Sequence, residues 1–175
     1  MLYKMPDDMT YEEWRANCRE REQRLTHGAE RIPIDHAIYD VFFSIDKICF
    51  NRMFNWLPVY WKPADAPKDS LGMYKDNHIM IERDFYEKHG MDDDVINLMF
   101  HEMLHAFCDW KRIKDVEGKY HLKEFLDAAQ RHGGAGDVAP NEFGFSNVYL
   151  SDNTMKKIKN RIERRGQKRG NSNHR

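Results

Sequence analysis

The segment that decides the fold runs from residue 92 to residue 110 and reads DDDVINLMFHEMLHAFCDW. Its leading aspartates suit the positive end of a helix dipole and therefore predict the start of a helix. At about 100° per residue, one broad sector of this helix is apolar; it contains Val95, Ile96, Met99, Phe100, Met103, Ala106, Phe107 and Trp110. The opposite side carries Leu98, His101 and His105, with Glu102 at its flank. We expect the apolar face to anchor the helix in a core and the other face to line a cleft.

The spacing of His101, Glu102 and His105 is the H-E-x-x-H arrangement of zinc hydrolases. Histidines four residues apart project from one face of a helix, close enough to bind the same tetrahedral metal ion. Glu102 is rotated away from His101, so it can act as a general base on a metal-activated water without becoming a ligand. The pattern predicts His101 and His105 as Zn²⁺ ligands and Glu102 as the catalytic residue. The alternative is a solvated histidine face without a metal.

A catalytic zinc site needs a third protein ligand. The downstream candidates are His121, His132, Cys108, Glu117, Glu124 and Asp109. We favour His121 because it opens a second amphipathic segment, residues 121–130, that is predicted to be a helix. The fifteen residues between His105 and His121 suffice to end the first helix, turn at Gly118 and return to the metal. His132 precedes a glycine run and is interpreted as the end of that helix, and Cys108 as a small buried thiol.

These residues resemble the SprT-like (Spartan-type) zinc metallopeptidase family. The similarity lies in the stretch from His101 to Ala106, the loop that ends at His121, and the spacing from His121 to Phe125. The preceding chain is also similar, with a helix ending at 50–54, a strand beginning at 57–59 and a hairpin from 72–74 to 79–81. The resemblance covers roughly residues 35–132. It implies an α+β, zincin-like fold with a small antiparallel sheet, an active-site helix and flanking helices.

The resemblance also implies a function, that of a zinc-dependent endopeptidase. Its substrates would be proteins or peptides, including DNA-associated or DNA-crosslinked proteins. The chain differs from the family in having Leu122, where glycine commonly follows the third histidine, and in lacking a four-cysteine zinc ribbon. A tetrahedral oxyanion requires a donor, for which Tyr120, Tyr149 and Arg131 are candidates. The alternative is a nucleic-acid-associated binding protein whose zinc site is structural or catalytically silent, although a structural site has no need of Glu102.

The hairpin before the active helix has its own signals. Ile79 and Ile81 alternate with polar or larger residues, which predicts a strand with one apolar face. Asp76 and Asn77 are predicted to form the turn between the two strands. By resemblance to zincins, the second strand of the hairpin is the candidate edge for pairing with an extended substrate.

Sequence patterns along the chain predict its domain organisation. We expect an N-terminal helical extension over residues 1–33, with a capping box from Thr10 to Glu13 and a helix reaching Gly28. The metallopeptidase domain follows over 34–150, and its first helix carries an apolar stripe at helical spacing. No apolar run approaches the ~20 residues of a membrane span. The unpatterned cysteines fit a reducing interior, so a cytoplasmic location without a membrane partner is predicted.

Residues 151–175 are predicted to be a basic C-terminal helix or tail. From Lys156 onward there are nine Lys and Arg residues and a single acidic residue, Glu163. Gly166 and Gly170 predict that the end of this segment is frayed. The side chains expected to meet DNA phosphates are Lys156, Lys157, Lys159, Arg161, Arg164, Arg165, Lys168 and Arg169. The alternative is a solubilising extension without a partner.

Overall fold

A computed structural model describes residues 36–54, 57–64, 66 and 70–172 of the chain. The elements, in order, are helix α1 (His36–Cys49), strands β1 (Val59–Trp61), β2 (Gly72–Lys75) and β3 (His78–Ile81), helices α2 (Arg83–His89) and α3 (Asp93–Lys111), strands β4 (Val116–Glu117) and β5 (Tyr120–His121), helix α4 (Lys123–Arg131), strands β6 (Gly134–Gly136) and β7 (Val148–Leu150), and helix α5 (Asp152–Ser172). The predicted α+β class is confirmed. The helix predicted between Thr10 and Gly28, like the whole extension over 1–33, lies outside the described residues.

Helix α1 is the core helix that its apolar stripe predicts. Ile38, Val41, Phe42 and Ile45 are fully buried. They recur at intervals of three and four residues, so they share one face of the helix. That helix packs against both α3 and α5, and all three helices contribute residues to the hydrophobic core.

Helix α3 begins where the aspartates predict. Asp92 is its N-cap, and the Asp92 carboxylate accepts hydrogen bonds from the backbone N–H groups of Asp94 and Val95. The predicted apolar face is buried, with one correction at Trp110, which is 40 % exposed. Trp110 lies in the last turn, beyond the core. Its indole N–H donates to Asn77 Oδ1 at 3.0 Å, so the ring lies over the end of the hairpin.

The main sheet corrects the prediction of an antiparallel arrangement. Its order is β1-β3-β2, with β1 parallel and β2 antiparallel to β3. The predicted hairpin is present, and Asp76 and Asn77 form its turn with φ values of 49° and 64°, which short polar side chains tolerate. The predicted single apolar face is wrong, because all four residues of β3 are buried. As the central strand, β3 has neighbours on both edges, so it has no free edge for a substrate.

The second sheet corrects the position of His121. We expected this histidine to open a helix, but it ends β5, and α4 begins at Lys123. Strands β4 and β5 form an antiparallel hairpin that turns at Gly118, whose φ is +63°, as the sequence predicts. The apolar stripe of α4 is buried, with Phe125 and Ala129 fully inaccessible. Leu122, in an extended conformation, is the N-cap.

Helix α5 corrects the prediction of a frayed end. It continues through Gly166 and Gly170 to Ser172. Ile158 is fully buried and Met155 nearly so, and the helix packs along α1. The first part of the basic segment, through Arg165, is therefore packed onto the core. In the part of the chain that the structure describes, no helix is both long and apolar enough to cross a membrane.

Candidate metal centre

Two histidines on consecutive turns of α3 form the first half of the centre. The spacing of four residues places the rings of His101 and His105 on one face of the helix. Their Nε2 atoms are 3.2 Å apart. Both side chains are partly accessible, whereas the opposite face of α3 is buried. Local helix geometry thus aims both imidazoles at the same point.

Strand β5 supplies the third histidine. His121 Nε2 lies 3.2 Å from His105 Nε2, and the ligand atoms of the three histidines lie within 4.8 Å of one another. Tetrahedral coordination with Zn–N distances of about 2.0–2.1 Å requires N–N separations of roughly 3.3 Å. The two separations of 3.2 Å are close to that value, so the three residues fit a tetrahedral metal ion that keeps a fourth position for water.

The other proposed third ligands are engaged elsewhere. His132 Nδ1 lies 2.7 Å from the Cys49 carbonyl oxygen, at the end of α4, as the sequence predicts. Cys108 is a fully buried thiol, also as predicted. Asp109 accepts a hydrogen bond from the Tyr74 hydroxyl at 2.9 Å. The last two, Glu117 and Glu124, are exposed. Neither carboxylate belongs to the histidine cluster.

Asp115 is a residue of the centre that sequence reasoning missed. Its Oδ2 lies 2.6 Å from His105 Nδ1. A carboxylate on the outer ring nitrogen fixes the tautomer of a histidine and leaves Nε2 with its lone pair available for a metal. Asp115 lies in the loop between α3 and β4, where no spacing rule connects it to His105. Its backbone carbonyl also accepts a hydrogen bond from Leu122 N–H at 2.7 Å. Asp115 therefore contacts both His105 and the residue that directly follows His121.

His121 is held in place by a loop that comes 22 residues later in the chain. Its backbone N–H donates to the Phe143 carbonyl at 2.9 Å, and its own carbonyl accepts from Phe145 N–H at 3.0 Å. Between them, Gly144 has a φ of +76°, and a Cβ atom there would lie 2.1 Å from the His121 carbonyl oxygen. Only glycine fits this position. The sequence contains this glycine, but no local pattern linked it to His121.

Phe125 forms an apolar floor under the three imidazoles. Its ring centroid lies 4.8 Å from that of His101, 4.5 Å from that of His105 and 4.8 Å from that of His121. The spacing from His121 to Phe125 places the ring on the first turn of α4, directly after the strand. This packing restricts the imidazole orientations and excludes water from beneath them.

Two of the three histidines, His101 and His121, favour their neutral form. Burial lowers the pKa of His101 well below its usual value, and the charges of His105 and His121 act in the same direction. Burial also lowers the pKa of His121, again with a contribution from His105. Neutral imidazole is the form that binds a metal. The cluster is thus prepared for a cation that three closely spaced imidazoliums would repel.

Glu102 is the buried carboxylate of the centre. It is 3 % exposed, and burial raises its pKa to about 7 because desolvation disfavours the charged form. Within the described residues its Oε2 atom has no hydrogen-bond partner. A Cβ atom on Gly72 would come within 2.8 Å of Oε1, so the glycine that opens β2 makes room for the carboxylate. An orphaned buried carboxylate oxygen beside three histidines fits a water or a reacting group bound at the centre.

Of the three candidate oxyanion donors, one is held by a hydrogen bond within its own helix and the other two are exposed. Arg131 Nε donates to the Asp127 carbonyl at 3.0 Å within α4, which orients its guanidinium along that helix. Tyr120 directly precedes His121 and is 40 % exposed, and Tyr149 in β7 is 42 % exposed. Both hydroxyls lie on the surface of the protein.

A second cluster, formed by His89, Asp92 and Asp94, also brings ligand types together. Here His89 Nδ1 lies 2.7 Å from Asp92 Oδ2, while Asp92 caps α3. The side chains of both aspartates are exposed, and the contacts join the end of α2 to the start of α3. We interpret this cluster as a helix cap.

Comparison of the chain with protein-family models, with curated proteins and with solved structures finds no match. The residues and their geometry therefore carry the functional argument alone.

Proposed function

We propose that this protein is a zinc-dependent endopeptidase of the SprT-like type, with His101, His105 and His121 as zinc ligands and Glu102 as the general base. One observation carries the proposal: the ligand atoms of three histidines lie within 4.8 Å of one another, two of the Nε2 separations are 3.2 Å, and the neighbouring Glu102 is a buried carboxylate with an unpaired oxygen among the described residues. A purely structural zinc site is closed by four protein ligands and has no use for a base. An open fourth position with a base beside it is the arrangement of a hydrolase.

The roles of the side chains follow from their positions. When bound, zinc would lower the pKa of a water molecule to about 7 and polarise the scissile carbonyl. Glu102 accepts the proton of the attacking water and returns it to the leaving amine, a task suited to a carboxylate whose pKa is near 7. Asp115 fixes His105 through Nδ1. Tyr120 and Tyr149 are the candidates to stabilise the oxyanion.

The sheet suggests where an extended substrate would bind. Strand β2 is an edge strand of the main sheet and contacts α3, and its first residue, Gly72, adjoins the Glu102 carboxylate. An extended peptide pairing with this edge would pass the catalytic base, and main-chain pairing is largely independent of sequence. We therefore assign substrate pairing to β2 in place of β3. An edge strand beside an active-site helix also supports a zincin-like fold.

The proposal extends to DNA-associated or DNA-crosslinked protein substrates and to a cytoplasmic location. Lys156, Lys157 and Arg164 are exposed on α5 and suit phosphate contacts. Two other basic side chains already have partners within the protein, since Lys159 pairs with Asp93 and Arg165 with Asp40. The surface available to DNA is accordingly smaller than the sequence alone predicts.

The deciding experiment separates catalysis from metal binding. Glu102→Gln preserves size and polarity but removes the base, so we expect about one zinc per chain and at least a hundredfold slower hydrolysis, on the order of what general-base catalysis contributes. The zinc content is measured by mass spectrometry. Hydrolysis is measured with a labelled unfolded protein as substrate, both free in solution and bound to single-stranded DNA. The matched control is Glu124→Gln, which changes an exposed glutamate on α4 and should alter neither quantity.

Hydrolysis at the wild-type rate in Glu102→Gln would refute the proposed mechanism. If the wild-type protein binds zinc and DNA but hydrolyses neither form of the substrate, the alternative of a nucleic-acid-associated binding protein with a silent zinc site takes its place.

A further inference from the structure

A second cleft lies between the end of α1 and the middle of α5. Its volume is about 290 Å³, and it is lined by Phe43, Asp46, Lys47, Arg52, Arg161 and Arg165. None of these residues belongs to the histidine centre. Four of the six side chains are cations, so the cleft is a concentrated positive surface.

The α1 wall of this cleft is built around a rigid turn. The Asp46 carbonyl accepts hydrogen bonds from the N–H groups of Phe50 and Arg52 at 3.1 and 2.9 Å. The Asp46 carboxylate accepts from Phe54 N–H at 3.1 Å. Asn51 and Arg52 have φ values of 53° and 64°, which these bonds hold in place. The one carboxylate in the lining is therefore used to hold the turn that presents Arg52.

The α5 wall contributes two arginines one turn apart. Arg165 is already satisfied, because its Nε donates to Asp40 Oδ1 at 2.7 Å and its guanidinium lies 5.2 Å from the centroid of the Phe43 ring. Arg161 differs. Its Nε is buried and has no hydrogen-bond partner among the described residues. A buried donor without an acceptor is unfavourable, so this side chain points to a missing anion.

The charges of the side chains that line the cleft are predominantly positive, which also favours an anion. Within the described part of the chain, no carboxylate lies within salt-bridge distance of Lys47, Arg52 or Arg161. Three cations thus share a small cleft with one carboxylate, Asp46. Guanidinium groups present paired N–H donors that match the oxygens of a phosphate, and such charge-assisted bonds are stronger than neutral ones.

We propose that this cleft binds a phosphate group, held by Arg161 and Arg52 with Lys47 at the rim. The volume lies at the lower limit of the ~300–1,000 Å³ that pockets for whole small molecules occupy. The cleft therefore has room for the phosphate group, while the rest of the molecule that carries the phosphate stays outside. A free phosphate ion and a phosphodiester of a nucleic acid chain share this chemistry. The site is independent of the proposed peptidase activity.

The test is a titration of the full-length protein with two probes, inorganic phosphate and a short single-stranded DNA oligonucleotide, at low and moderate salt. Arg161→Gln and Arg52→Gln should each weaken binding of at least one probe by about tenfold or more, as expected for the loss of a charge-assisted contact. The control is Lys88→Gln, an exposed lysine on α2 that belongs to neither proposed phosphate-binding surface; it removes the same charge and should change binding by less than about twofold. The thermal unfolding midpoint and zinc content of each variant verify the fold.

Either probe can support the site, and the pattern identifies the source of the phosphate. Binding of inorganic phosphate that depends on Arg161 and Arg52 assigns a small anion, whereas dependence seen only with the oligonucleotide assigns a nucleic acid backbone. Absence of binding by both probes overturns the proposal. So does an equal loss in Arg161→Gln and Lys88→Gln, because it would reflect net charge alone.

Discussion

The two halves of the candidate metal centre are held in position by different interactions. His101 and His105 are four residues apart on α3, and the helix itself aligns their rings. His121 lies on a two-residue strand, β5, and depends on a backbone bridge to Gly144. The first half requires only that α3 be helical. The second requires that two distant segments of the chain meet.

This difference predicts where the site is fragile. A helical pair tolerates changes elsewhere as long as the buried face of α3 stays packed. The strand half has no such redundancy, because a single close backbone contact sets the position of His121. Mutations outside the ligands should therefore disturb zinc binding mainly through the strand half.

Removal of a ligand should have the largest effect and should not distinguish the two halves. The free energy of zinc binding at sites of this kind is about 10–16 kcal/mol. If the ligands contribute to it equally, either His105→Ala or His121→Ala should lower the zinc affinity roughly a thousandfold. Competition with a chromophoric chelator measures the affinity. His132→Ala is the control, because His132 is hydrogen-bonded to Cys49. Loss of zinc in the control, together with full retention in His121→Ala, would show that the third ligand is misassigned.

Gly144→Ala should separate the halves. Its Cβ would meet the His121 backbone, so the strand must move, and we expect zinc affinity to fall on the order of a hundredfold. The control is Gly118→Ala, which also has a positive φ but meets no atom within 4 Å. It should destabilise the fold by about 1–2 kcal/mol and keep its zinc affinity. Similar zinc affinities in the two variants would contradict the proposed role of the bridge.

Asp115→Asn tests the support of the helical half. The amide can still accept from His105 Nδ1, but without a charge, so zinc affinity should fall by about tenfold, the lower end of what such outer contacts contribute. Asp109→Asn is matched in size and charge, and Asp109 contacts Tyr74 instead of a ligand. It should leave zinc affinity unchanged. An equal effect of the two substitutions would assign Asp115 a general electrostatic role only.

The smallest effect concerns the pH dependence of the metal-free protein. In the folded protein the pKa of His101 is below its ordinary value of 6.5. As the pH falls below 6.5, this imidazole therefore takes up a proton in the unfolded chain but not in the folded one. Stability should therefore decrease with falling pH, by up to about 1.4 kcal/mol per pH unit for this group. Urea unfolding after chelation, at pH 7.5, 6.5 and 5.5, measures the slope. His101→Gln should reduce it, and an unchanged slope in that variant would exclude His101 as its source.

Sequence reasoning succeeded where the deciding interactions are local. Asp92 caps α3, the stripe of α1 is buried, and Asp76 and Asn77 form the hairpin turn, because each depends on residues within one or two helical turns or on a single tight turn. The pair His101 and His105 belongs to this class. His121 was selected because it was expected to open an amphipathic helix at a suitable distance from His105. The geometry places it in the cluster, but on a strand instead of a helix.

Tertiary structure decided what depends on distant segments. The parallel pairing of β1 with β3 and the burial of both faces of β3 arise from packing that no period along one strand encodes. The packing of α5 along α1, which includes the contacts of Arg165 with Asp40 and Phe43, joins segments more than 100 residues apart, and no pattern within α5 predicts it.

The same division holds inside the candidate site. The sequence by itself determined that His101 and His105 share one face of α3, because their spacing of four residues fixes it. Only the fold brought Asp115 to His105, Gly144 to His121 and Gly72 to Glu102. Those contacts join residues 10 to 30 positions apart in the chain, and they form only when the strands and loops around α3 have packed.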